Sequence, residues 1–127
     1  MTVPPATVRR PRSRRRLAVG ALALPLLLAW YVTAAGGPGH PVTTVLLAVS
    51  AALGAATVAT WVPPAGHTWR SVLGCGPCDV VAGATVVAPV LLLTSAPGSA
   101  SMALVAVVAT AIGLYQRRPA AAAACPV

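Results

Sequence analysis

Cys75-Gly76-Pro77-Cys78 is the stretch of this chain whose residue types and spacing point to covalent chemistry. Two thiols two residues apart can shuttle between dithiol and disulfide, and the reactive species is the thiolate. Asp79, the one acidic residue, follows Cys78 directly and opposes a negative charge there. A second chemistry needs softer ligands brought together: His67, Cys75 and Cys78 offer three donors suited to zinc, and Cys125 in the tail would have to supply the fourth. A third reading is structural, with Gly76-Pro77 as a tight turn and the cysteines as free thiols in a reducing compartment. That structural reading is the expectation here, so neither a cofactor nor a metal is called for.

The segments that must carry this motif are unlike those of a water-soluble protein. Of 127 residues, 57% are hydrophobic and 8% charged, with nine arginines and no lysine. A soluble domain carries roughly a quarter charged residues, and a disordered chain is poor in apolar ones; a mean hydropathy of +0.84 excludes both. Phe, Lys, Asn and Glu are missing and Ile112 is the sole isoleucine, a bias that for all but Glu fits a GC-rich bacterial genome.

Four uncharged runs follow one another. Residues 1–16 form a basic arm containing Arg9, Arg10, Arg12, Arg14, Arg15 and Arg16, with three prolines that work against a regular helix. Leu17 to Ala35 and Val42 to Val62 are each long enough, at about 1.5 Å per residue, to cover most of a bilayer core of about 30 Å. The turn 36–41, rich in glycine and proline, separates them, and His40 in it reads as a solvated loop residue. Pro25 inside the first run should kink it or free a carbonyl for a neighbour's donor. The loop 63–78 carries the cysteine motif and Arg70, and the runs 79–95 and 100–116, joined by a turn at 96–99, are short for spanning helices. A shallow re-entrant hairpin is the alternative for that pair. Arg117 and Arg118 open the tail 117–127.

The predicted fold is therefore all-α, a polytopic membrane protein built as a small four-helix transmembrane bundle. With four spans, the arm, the central loop and the tail share one side and hold every arginine, which the positive-inside rule assigns to the cytoplasm. Trp61, Trp69 and Tyr115 would then lie at the inner interface and Trp30 and Tyr31 towards the outer one. A rival reading takes Ser13-Arg14-Arg15-Arg16-Leu17 and Val32-Thr33-Ala34-Ala35 as an export signal with its cleavage site.

Helices in lipid associate through small residues four apart. Ala48, Ala52 and Ala56 make one such ridge on the second run, Ser50 and Gly54 another; Ala84 and Ala88 lie on the third run, and Ala109 and Gly113 on the fourth. All are candidate packing positions, within the bundle or between copies. No ionisable side chain falls at mid-membrane depth, where coupled transport usually places one. The size and four-span layout resemble the small multidrug-resistance transporters, but that family depends on a glutamate in its first helix and this chain has no glutamate.

The letters Cys75-Gly76-Pro77-Cys78 resemble the thioredoxin active site, in which two cysteines separated by Gly-Pro open a helix whose amino terminus stabilises a thiolate. The resemblance covers four residues, with Gly74 where thioredoxins have tryptophan. It implies that Pro77 and Cys78 start the third helix with Asp79 in its first turn. Membrane disulfide-exchange proteins, four-helix bundles with a cysteine pair near a helix end, are similar in outline, but they use a second pair and only Cys125 is left here.

These readings converge on an integral protein of a bacterial inner membrane with both termini cytoplasmic, serving as a non-enzymatic accessory or interaction component. Its expected partners are anionic lipid headgroups and another membrane protein or a second copy. Nucleic acid is not expected, because no aromatic side chains are interleaved among the arginines. The alternatives are a thiol-disulfide oxidoreductase using Cys75 and Cys78, and a hole-forming or conjugation-type membrane protein.

Overall fold

The computed structural model describes residues 14–63, 66, 68 and 77–122; for 77, 78 and 118–122 it describes the backbone course only. Within these residues the chain is helical throughout, with α1 at Arg14–Ala34, α2 at Pro41–Thr60, α3 at Pro77–Ser95 and α4 at Ala100–Ala122.

Helix ends and the ends of the uncharged runs do not coincide. α1 begins at Arg14, inside the stretch expected to be a disordered arm, because arginine is a good helix former and the last proline lies upstream at Pro11. α4 likewise runs on through Arg117 and Arg118 to Ala122. The expected tail therefore begins as helix, carried by an alanine run with the highest helix propensity, and the fourth helix is the longest at 23 residues. α2, by contrast, stops at Thr60, short of the Val62 that hydropathy suggested. The Trp61 amide bonds Val58 O rather than the carbonyl four back, tightening the last turn, and Pro63 disfavours helical geometry at Val62.

Glycine, proline and histidine shape the other ends. The Gly37 amide bonds Val32 O and the Gly36 amide bonds Thr33 O, at 2.9 and 3.1 Å. With φ +86° at Gly36, this is a Schellman closure, which a residue bearing a Cβ adopts only with strain. His40, expected to be merely solvated, is the N-cap of α2: its Nδ1 faces the Val42 amide at 3.4 Å, ahead of Pro41 at the first helical position. Pro77 opens α3 in the same manner, with Asp79 in the first turn, where the helix dipole favours a carboxylate.

The four helices close into a ring in the order α1, α2, α4, α3. The α1–α2, α2–α4 and α3–α4 seams are extensive, and the α3–α1 seam is narrower. Buried residues from every helix meet inside, including Leu27, Tyr31, Leu47, Ala51, Val86, Leu93 and Ala103. The outside is apolar as well: Leu22 and Leu26 are each 74% exposed, and Leu91, Leu104 and Ile112 are exposed too. Surface of that kind on every side is covered by lipid, not water. α1, α2 and Ala100–Arg117 of α4 are long and apolar enough to cross a membrane, while the apolar part of α3, Asp79–Ser95, is shorter.

Candidate functional site

The described charged side chains gather at one end of the bundle, where α1 and α3 begin and α2 and α4 finish. Arg117, from the last turns of α4, pairs with Asp79 in the first turn of α3. Its guanidinium also lies over the Trp61 ring beyond α2, 5.5 Å from the centroid, a cation–π geometry. Arg117 is only 12% exposed. Its Nε and Nη2, together with Trp61 Nε1, are buried without a hydrogen-bond acceptor among the described residues. A cation so enclosed depends on its carboxylate, since removing one member of a buried pair leaves an uncompensated charge. Beside this cluster, Arg16 Nε donates to Val62 O at 3.0 Å and fastens the start of α1 to the end of α2.

The opposite end carries no charged side chain among the described residues. There the Gly98 amide donates to Ala35 O at 3.1 Å, joining the two short turns. Gly98 has φ +73°, and Gly36 approaches Pro97 closely.

Between the ends the interior is apolar, with hydroxyls turned onto backbone carbonyls. Thr57 donates to Leu53 O, Thr85 to Ala82 O, and Thr110 to Ala106 O and Val107 O, bonds within one helix that need no ligand. Tyr31 is different. It is fully buried, and its hydroxyl crosses from α1 to donate to Val86 O of α3 at 2.8 Å. Pro89 has no N–H to offer the Thr85 carbonyl, so α3 is disturbed at this level, and Tyr31 supplies a donor one residue away. The expectation of an outer-interface role for Tyr31 is thus corrected: it is an interior strut, whereas Trp30 is exposed and Tyr115, at 74%, faces outward. Ser50 Oγ is the one buried hydroxyl without a partner among the described side chains.

The candidate packing positions separate sharply. Ser50 and Gly54 lie in the core, and a Cβ at Gly54 would come within 3.1 Å of Leu27 Cδ1 and 3.4 Å of Tyr31 Oη. Gly113 is buried where a Cβ would overlap the Thr85 side chain, so α3 and α4 touch here only because the position is glycine. Ala109 and Ala88 are half-buried. Ala48, Ala52, Ala56 and Ala84 are exposed, outside the core of this bundle. On α2 the buried face is drawn by Thr43, Leu47, Ser50, Ala51, Gly54 and Ala55, and the 48/52/56 ridge is turned away from it.

Of the candidate chemical residues, Cys78 is the second residue of α3. His67, Cys75 and Cys125 lie outside the described residues, as do Arg9, Arg10, Arg12, Arg70 and Trp69. Arg14 and Arg15 are exposed, Arg16 half-buried, and Arg118 lies on α4. The Asp79–Arg117–Trp61 cluster was missed from sequence, although its signal was present: one acid and a basic pair assigned to the same side. No protein-family model, curated protein or solved structure matches this chain.

Proposed function

We propose that this chain is a non-enzymatic accessory component of a bacterial cytoplasmic membrane, crossing it four times with both termini in the cytoplasm. The observation that carries the reading is how its interior polar groups are engaged. Thr57, Thr110 and Tyr31 are bonded to carbonyls of the bundle itself, and the carboxylate is held by Arg117 at the end of the bundle. Tyr31 and the Asp79–Arg117 pair tie one helix to another, while Thr57 and Thr110 bond within their own helices; groups engaged in this way are not poised to bind and release a substrate or proton. The orientation is supported by the arginine distribution, with Arg14 to Arg16 and Arg117 at the same end of the bundle.

A second reading, thiol-disulfide exchange at Cys75 and Cys78, is favoured by one feature. α3 starts at Pro77, so Cys78 lies where a helix amino terminus stabilises a thiolate, and the opposing charge of Asp79 is offset by Arg117. Replacing both cysteines with serine in the native gene separates the two. Full complementation of a deletion strain by the double variant is the result expected of an accessory protein, and loss of complementation with the protein still inserted establishes the redox reading. The orientation is checked by a membrane-impermeant maleimide, which should leave Cys75 unmodified in intact cells and label it after lysis.

A further inference from the structure

The α1–α2 seam is not closed along its length. At the charged end the two helices part around a groove of about 480 Å³, lined by Gly20 and Leu24 of α1 and Ala52 and Ala56 of α2, with Arg16 and Thr60 at its mouth. The groove exists because the side chains facing it are small. Gly20 approaches only Ala59, whose Cβ stands 3.7 Å from where a Cβ on Gly20 would be. Farther in, Leu27 and Tyr31 seat over Gly54 and seal the seam.

We infer that this groove holds one acyl chain of an anionic phospholipid, with the phosphate at Arg16 and with Arg14 and Arg15 beside it. Length decides between a lipid tail and a protein helix. From Leu17 to Leu24, or from Ala52 to Thr60, the groove covers about 10–12 Å of helix rise, close to one leaflet of a hydrocarbon core about 30 Å thick. A transmembrane helix of a second copy would need a seam running through both leaflets. Charge then selects the headgroup. The groove opens at a guanidinium whose Nε is anchored on Val62 O, and the residues just before it are two exposed arginines. The single acidic side chain of the sequence, Asp79, is engaged with Arg117. A zwitterionic headgroup brings its own cation to this mouth and gains less. The ridge Ala52-Ala56 thus has a use that does not require a neighbouring helix. The inference needs only that the bundle sits in a bilayer; which leaflet supplies the lipid follows from the orientation proposed above.

The test is native mass spectrometry of the full-length protein in neutral detergent, with dioleoyl phosphatidylglycerol and dioleoyl phosphatidylcholine as competing probes at equal concentration. The unmodified protein should retain one phosphatidylglycerol in preference to phosphatidylcholine. Ala56→Leu, at an exposed position, should abolish that retention while helix content by circular dichroism stays unchanged. Arg16→Gln should cut the preference about fivefold, the effect of one arginine near an anionic surface. Equal retention of the two lipids by the unmodified protein would overturn the inference. So would undiminished retention by Ala56→Leu, equal competition from free oleate, or an unmodified protein that is dimeric and becomes monomeric on Ala56→Leu with its lipid retained. The orientation proposal stands or falls separately, on the maleimide experiment.

Discussion

The two hairpins of this bundle are made from the same few amino acids and are closed in opposite ways. α3 and α4 meet at Gly113 and Thr85, so closely that a methyl group has no room, and their charged end is clamped by Asp79, Arg117 and Trp61. α1 and α2 are sealed only over the half away from the charged end, by Leu27 and Tyr31, and their charged end opens into a groove lined largely by glycine and alanine. Small residues therefore do not by themselves bring helices together. They do so where the facing helix presents a side chain of matching shape, as Thr85 does; where both faces are small, as at Gly20 and Ala59, a groove is left.

That contrast can be broken most severely at the clamp. Asp79→Ala should leave the nearly enclosed Arg117 without its carboxylate and destabilise the α3–α4 end by about 3 kcal/mol, read as a fall in the midpoint of unfolding in mixed detergent micelles. Arg117→Met in the same background should recover much of the loss, since two apolar partners tolerate burial better than one charge. Next in size is the tight seam: Gly113→Ala should cost about 2 kcal/mol through overpacking, whereas the same change at Gly20, where the nearest atom is 3.7 Å away, should be close to neutral. The strut between hairpins comes third. Tyr31→Phe keeps the ring and removes the bond to Val86 O, and should cost about 1 kcal/mol by the same unfolding measurement. Smallest is the groove itself, where Ala56→Leu should change stability by less than about 0.5 kcal/mol because the position faces outward. A large loss there would mean that the groove is closed in the folded protein and that the contrast between hairpins is wrong.

The all-helical bundle was legible because hydropathy picks out uncharged runs long enough to cross lipid, where a helix satisfies every backbone group within its own segment. Helix ends were less legible. Arg14 and Arg117 stop a hydrophobic run without stopping a helix, so α1 and α4 run on past their apolar stretches at the charged end. Packing was readable where glycine was involved, at Gly54 and Gly113, since glycine in a helix interior is costly unless a close approach requires it. The sequence left Ala48, Ala52 and Ala56 open between a seam within the bundle and one between copies, because alanine suits either and only the facing helix distinguishes them; the structure turns all three outward. Tyr31 was misplaced for a related reason: its depth was visible in the sequence, but which side of α1 turns inward depends on partners far along the chain. The cysteine motif remains a reading of sequence alone, apart from the helix start at Pro77.

The pairing of Asp79 with Arg117 has an electrical result that extends beyond stability. With the sole acidic side chain already neutralised inside the fold, the arginines of the charged end face their surroundings without a counter-ion of their own. Anything that associates there meets attraction if it is negative and finds no side-chain carboxylate to repel it, an attraction that weakens as added salt shortens its reach to a few ångströms.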